Sequence, residues 1–431
     1  MRTTSRTLAL LLASTLLGAS PALAQAQGTE ADRLSHVDGN LPDAGNAPGK
    51  PAETAEANAP SQKPAFEGQT RAPQPAELAK VETTVLADGL PHLWAMEFLP
   101  DGRMLVTAKK GAMMVLSADG KTRTEVSGVP KVEAGGQGGL LDVALSPGFA
   151  EDGMIYFTFS EPREGGGNGT SLGSAKLVMD GDAAKLEGMK VVYQQIPAYD
   201  GNKHFGSRIV FAPDGKILLG VGERSDTPIR DQAQDLNSGL GKVFRISADG
   251  SIPEDNPFLA RENAQDAIWS YGHRNIQSAA LDGEGRLWVV EHGARGGDEL
   301  NRPEAGKNYG WPVITYGVDY GGNPIGEGKT AGEGMEQPAY YWDPVIGPSG
   351  MAFYQGDEFP AWKGAFLIGG LVTQGLVVVH VDGDRVKSEE RVPLEARIRD
   401  VKVGPDGAVY AVTERREGEG SSTIVRVAAA D

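Results

Sequence analysis

From Val81 onward one pattern of apolar and polar positions recurs: apolar residues, a turn built from Pro, Asp and Gly, then a run of β-branched or aromatic residues. The copies are FLPDGRMLVT from Phe98, LSPGFAEDGMIYFT from Leu145, FAPDGKILLG from Phe211, LDGEGRLWVV from Leu281, FPAWKGAFLIGG from Phe359 and VGPDGAVYAV from Val403. Their turn glycines are Gly102, Gly153, Gly215, Gly285, Gly364 and Gly407, at successive spacings of 51, 62, 70, 79 and 43 residues. Each unit is the centre of a small antiparallel sheet that cannot bury both faces alone. Radial stacking of six such sheets solves that, so the pattern predicts an all-β, six-bladed β-propeller over residues 81–431. A sandwich or solenoid with similar turns is the alternative. The uneven spacing suits long loops on one face. VETTVLA from Val81 and STIVRVA from Ser422 both have strand character. Pairing them in one blade would close the ring and leave no open edge.

The residues before Val81 follow other rules. Met1 to Ala24 has a basic start (Arg2, Arg6), an apolar Leu8–Leu17 run and a small-x-small end at Ala22-Leu23-Ala24. This is the layout of a secretory signal, and the apolar run falls well short of the ~20 residues a membrane span needs. A periplasmic or secreted location is expected, with no membrane span. Residues 25–80 are rich in Ala, Pro, Gln, Glu and Gly, with seven prolines from Pro42 to Pro75. Such a composition buries too little apolar surface to offset chain entropy, so a disordered linker is expected there.

Composition narrows the chemistry. A net charge of −17 argues against nucleic acid or anionic lipid as a partner. The absence of cysteine excludes disulfides, iron–sulfur clusters and thiol catalysis. The six histidines show no HxH or HExxH spacing, which disfavours zinc. No GxGxxG stands at a strand–helix junction and no GxSxG at a nucleophile turn.

Equivalent repeat positions lie at equivalent heights around a propeller axis. His204 and Arg274 each precede their turn glycine by 11 residues, Arg397 and Arg399 precede Gly407 by 10 and 8, His92 precedes Gly102 by 10, and Gln137 precedes Gly153 by 16. These side chains are expected to converge at one mouth of the axial channel. Three arginines there would make a local positive pocket for a polycarboxylate or phosphate, beside a histidine able to accept a proton near neutral pH. The stretch EHGARGGDELNRPEAGKNYGWP from Glu291 adds turn carbonyls and two carboxylates, hard oxygen ligands of the kind Ca²⁺ takes.

Together the blocks GQGGLLDVALSPGFA, NKHFGSRIVF, IWSYGHRNIQ, EHGARGGDELN, GKNYGWP, SGMAFY and RIRDVKVGPDG resemble the soluble PQQ-dependent aldose dehydrogenases of the glucose/sorbosone dehydrogenase family, over about Gly89 to Val427. The resemblance implies a six-bladed propeller that binds pyrroloquinoline quinone (PQQ) over the channel mouth with Ca²⁺. It implies oxidation of an aldose at C1 to a lactone, with electrons passed on to an external acceptor, a quinone or cytochrome. On it, His204 is the general base and Arg274 steadies charge on the quinone oxygens with Asn275 beside it. Gln137, Tyr320, Gly370 and Leu371 match further cofactor contacts, and Arg397 and Arg399 match the arginines that hold the cofactor carboxylates. The carbonyls of Gly293 and Ala294 match the ligands of the cofactor Ca²⁺. Glu299 and Tyr309 match a second, structural Ca²⁺ site.

Two positions depart from that pattern. Val372 stands where the family usually has Lys. Loss of one charge-assisted contact costs about 1.5–3 kcal/mol, roughly 10- to 150-fold in affinity. Ala294 replaces a proline, which leaves its carbonyl available in a less rigid loop. Val372 motivates the alternative of a non-catalytic ligand-binding propeller with a degenerate PQQ site. A metal-dependent lactonase on the same architecture would want carboxylates at the mouth, where this chain has arginines.

Overall fold

A computed structural model of the chain describes residues 48–414 and 422–430. The signal-like segment and residues 25–47 lie outside the described residues. Strands dominate, arranged as six four-stranded antiparallel blades. Blade 1 comprises Leu93–Phe98, Met104–Ala108, Ala112–Leu116 and Arg123–Ser127, and blade 2 comprises Leu140–Leu145, Met154–Pro162, Asn168–Asp180 and Ala183–Gln194. Their outer strands touch in parallel at Val126–Ser127 and Ala184–Lys185, which joins the two blades into one continuous sheet. Blade 3 comprises Ile209–Phe211, Ile217–Val221, Lys242–Ile246 and Ile268–Tyr271. Blade 4 comprises Ile276–Leu281, Leu287–Glu291, Asp298–Asn301 and Tyr340–Trp342. Blade 5 comprises Pro348–Phe353, Ala365–Gly370, Gly375–Asp382 and Arg385–Pro393. Blade 6 comprises Ile398–Val403, Val409–Thr413 and Ser422–Ala429, completed by Val81–Leu90 from the other end of the ring.

That completing pair runs from Val81 opposite Ala429 to Leu90 opposite Ser422, so the ring closes as the sequence predicts. The first strand of every blade neighbours the first strands of the blades on either side, which makes them the inner wall of the channel. Each of the six interfaces between blades has its own buried apolar cluster. One example is Phe157, Leu105 and Val143 between blades 1 and 2; another is Val378, Val401 and Val425 between blades 5 and 6. All six turn glycines adopt positive φ, from 66° to 85°, a region costly for residues with a Cβ.

The linker expectation fails for residues 48–80. They form a strap on the outer edges of blades 4 and 5. Its two ends pair with each other, through Gly49 N–H to Gln74 O and Gln74 N–H to Lys50 O. Tyr341 N–H of blade 4 then donates to Gln69 O of the strap, and Glu389 N–H of blade 5 to Pro73 O. Ala59, Gln69 and Ala72 are fully buried. The segment is apolar-poor, as its composition says. It is held mostly by backbone hydrogen bonds and one buried amide.

Candidate functional site

The mouth of the channel is where each first strand begins and each second strand ends. A cavity of about 220 Å³ lies there, lined by residues from blades 1 to 6. Of the residues the sequence singles out, Gln137, Asn275, Leu371, Arg397 and Arg399 line it. Gly370 ends the second strand of blade 5 immediately before Leu371. His204 lies next to the lining residue Phe205, its N–H donating to Gln137 Oε1 at 2.8 Å. His92 is at the rim, its Nε2 3.9 Å from Glu414. Tyr320 is not brought in: it is 75% exposed on a turn fixed by Asp319 and Asn323, and it does not line the cavity.

The cavity wall is rich in cations, and one buried carboxylate organises two of them. Glu414 pairs with Arg399 and, at 3.5 Å, with Arg397. Burial opposes the charge on Glu414, but Arg399, His92 and Arg397 outweigh it and hold the carboxyl far below its ordinary range. Arg397 also donates to Leu371 O, and Arg399 to Gln277 Oε1. Lys109 is different. Its Nζ is held by a carbonyl, that of Gly136 at 2.9 Å, and burial with Arg399 nearby lowers its pKa.

Beneath the cavity, Arg208 stands on the axis. Its guanidinium pairs with Asp142 of blade 2 and Asp400 of blade 6, both at 3.0 Å. It also donates to Gln277 O of blade 4 and lies 4.4 Å over the Trp94 ring of blade 1. This knot of buried, paired charge packs against the lining residues Trp94 and Gln277.

His204 is buried, with Nδ1 at 3.1 and 3.2 Å from the two oxygens of Glu223. Burial and Arg274 lower the His204 pKa, with Glu223 opposing them. Burial also works against the Glu223 charge, but His204 and Arg274 keep that carboxyl below its usual value. A neutral imidazole beside a carboxylate must carry its proton on Nδ1, which leaves Nε2 as the basic nitrogen. The loop bearing His204 is gripped by buried Arg224, which donates to the carbonyls of Lys203 and Asn168 and stacks 4.1 Å over Phe205.

A second, much smaller cavity of about 10 Å³ opens behind Arg274, lined by Glu291, His292, Gly293, Gly297, Glu299 and Trp311. That is room for about one water-sized species. Arg274 donates to His292 O at 2.9 Å and lies 5.1 Å over the Trp311 ring. Its Nε has no partner among the described residues. Burial raises the Glu299 pKa well above its usual value, with Glu291 adding to the effect, and burial pushes Asp298 up to about 6. His292 lines both cavities, and burial beside Arg274 and Arg399 drives it down to about 3, so it is neutral. Gly293 stands in the wall, and Ala294 packs with Trp311 and Ala233. Tyr309 does not join Glu299. Its hydroxyl bridges Arg302 O and Glu304 N–H, its ring stacks on His273, and it faces a separate cavity. Among the described residues no three His, Asp or Glu side chains are placed to chelate a metal on their own, so a cation here would need main-chain oxygens.

Sequence reasoning missed Glu223, Lys109, His292, Glu414 and Arg208. A signal for three of them exists. Counted downstream from the turn glycines, Lys109 and Glu414 are both at 7 and Glu223 is at 8, with Glu291 at 6. Strand ends after the turn reach the same mouth as the strand starts before it.

Comparison with known proteins identifies the family. The model of the Glucose / Sorbosone dehydrogenase family matches residues 90–426. The aldose sugar dehydrogenase YliI of Escherichia coli is 43% identical over 348 residues, 79% of this chain and 92% of that protein. The crystal structure of the soluble aldose sugar dehydrogenase from Escherichia coli in the apo-form superposes with a TM-score of 0.76 at 41% identity, covering 81% of this chain and all of that one. The PQQ-bound form of an aldose sugar dehydrogenase from Streptomyces coelicolor gives a TM-score of 0.64 at 29% identity, over 81% of this chain and 99% of that one.

Proposed function

Because the chain belongs to the glucose/sorbosone dehydrogenase family, we propose that it is an exported quinoprotein that oxidises aldose sugars at C1 to lactones with PQQ and Ca²⁺. The observation that carries this reading is the 220 Å³ cavity, walled by Lys109, Arg397 and Arg399 with the amides of Gln137 and Asn275, beside the His204–Glu223 couple. A wall of donors suits a polyanion such as PQQ, a quinone with three carboxylates. The unpartnered Nε of Arg274 is a further donor near the cavity.

Arg397, Arg399 and Lys109 would hold the cofactor carboxylates, and Arg274 with Asn275 would face the quinone oxygens. The main-chain oxygens of Gly293 and Ala294 would hold the cation. When bound, PQQ supplies the acceptor for two electrons and Ca²⁺ the Lewis acidity that polarises it. His204 Nε2 takes the proton of the sugar C1 hydroxyl. General-base proton transfer of this kind contributes about 10²–10⁴-fold in rate, and Glu223 fixes the ring and steadies the imidazolium that forms. Export rests on the signal-like Met1–Ala24, and no described helix is long and apolar enough to cross a membrane.

Val372, 46% exposed on the rim, supports a second reading in which the site binds a ligand without turnover. One titration separates the two. EDTA-treated protein is mixed with PQQ and excess Ca²⁺, followed by absorbance, and then given glucose and a panel of aldoses. Saturable binding with bleaching of the quinone on sugar addition is expected. Absence of binding would leave the non-catalytic reading standing.

A further inference from the structure

The strap lies outside the matched family region, which begins at residue 90. Its contacts nevertheless lead to the loop that walls the small cavity. Asp343 is 5% exposed, and its carboxylate accepts two backbone N–H groups from the strap, Asn58 at 2.7 Å and Ala59 at 2.9 Å. Arg71 donates to Asp343 O at 3.0 Å. The same carboxylate is packed so tightly on Gly296 that a Cβ there would stand 2.7 Å from Asp343 Oδ1.

Gln69 makes the second connection. It is fully buried. Its amide donates to Pro338 O and Gln337 Oε1, and its carbonyl accepts from Ala65 N–H and lies 3.0 Å from the Tyr316 hydroxyl, whose single proton is shared between it and Gln337 Oε1. Tyr316 stacks on Tyr341 with centroids 4.0 Å apart. The backbone at Tyr316 and Gly317 lies directly against Gly297. Arg295 and Val318 exchange both backbone hydrogen bonds at 3.0 Å, and Gly297 N–H donates to Trp342 O. The loop Gly293–Gly297 is therefore clamped between two segments, 316–318 and 342–343, and each is held from outside by the strap.

We propose that residues 49–74 are a positioning element for the Gly293–Gly297 loop, acting through Asp343 and Tyr316, and so set how tightly the small cavity holds a cation. The first half concerns the protein alone. The second half rests on the cation reading of the proposed function. A composition without apolar bulk suits this role. The strap contributes backbone donors to a buried carboxylate, and each hydrogen bond to a charged group weighs more than a neutral one.

Three variants test it: a chain starting at residue 77, Gln69→Ala, and Asn58→Pro, which removes the donor to Asp343 Oδ1. Amide hydrogen exchange is measured on peptides covering Gly293–Asp298 and Tyr316–Val318, with Leu93–Phe98 in blade 1 as reference. Loss of one such bond is expected to speed exchange by about 10-fold or more at the two loop peptides and leave the reference unchanged. Unchanged loop exchange in Gln69→Ala and Asn58→Pro overturns the proposal, as does an equal rise in the blade 1 reference, which would mark general destabilisation. The point variants decide it if the shortened chain does not fold. Ca²⁺ titration by calorimetry then reads the second half: weaker binding in the variants supports it, and equal binding overturns it. An intact protein that binds no Ca²⁺ sinks the cation reading, while the exchange data still judge the clamp.

Discussion

Two neighbouring cavities of opposite character share His292 as a wall. The larger is cationic, with Lys109, Arg397 and Arg399 against a single acid, Glu414. The smaller is acidic, with Glu291 and Glu299 in its wall, Asp298 beside them, and Arg274 at the boundary. In the larger, Glu414 holds both arginines in place and Lys109 has only a carbonyl partner. In the smaller, burial pushes Glu299 and Asp298 toward protonation, and Glu291 adds to the effect on Glu299. The first is prepared for an anion and the second has an unmet demand for positive charge. A neutral His292 between them adds no charge of its own to either side.

The largest way to break this contrast lies at the couple beside the cationic cavity. His204→Ala should lower kcat by about 10²–10⁴-fold while PQQ binding, read by absorbance, persists. Retained turnover would remove His204 from the reaction. Next is Arg399→Ala, which removes the nearer of the two arginines on buried Glu414 and leaves Arg397 at 3.5 Å. It should cost on the order of 1.5–3 kcal/mol in urea unfolding, and Glu414→Gln added on top should restore part of that. Lys109→Met tests the opposite case, a cavity cation with only a carbonyl partner. PQQ affinity should fall by roughly 10- to 150-fold with thermal stability nearly unchanged.

Glu299→Gln should act with two signs. It relieves repulsion with Glu291, stabilising EDTA-treated protein on the order of 1 kcal/mol, and it weakens Ca²⁺ binding. A loss of stability without metal would show that the carboxylates do not crowd one another. The smallest effect is in pH. The base works deprotonated, and burial places the His204 pKa below 6.5. The acid limb of kcat/KM should therefore have its midpoint below pH 6.5, with activity present above it and lost as pH falls through it. Glu223 holds that pKa up, so Glu223→Gln should move the limb to lower pH. A limb that moves upward would contradict the pairing.

Much of this was legible from one-dimensional spacing because a propeller converts sequence phase into height. The turn glycines gave the blade count, and counting upstream from them found His204, Arg274, Arg397 and Arg399. Lys109, Glu223 and Glu414 carry their signal on the other side of the turn, 7 or 8 residues after the glycine. Arg208 escaped for a deeper reason: its partners come from blades 1, 2, 4 and 6, and no local pattern marks such a meeting. The strap was misread because mean composition reports apolar burial. Its hold comes instead from backbone amides on Asp343 and from Gln69, three of whose partners lie more than 240 residues away.

The pairing of Val81–Leu90 with Ser422–Ala429 also sets the order of events in biosynthesis. The first blade strand to leave the ribosome waits for the last one before its edge is covered. Blades 1 to 5 can form during translation, but the ring stays open until nearly the whole chain has emerged, and closing so long a loop carries a large entropic toll. A product stopped short of Ser422 would keep five blades and still present an open sheet edge, the kind of surface that recruits other chains.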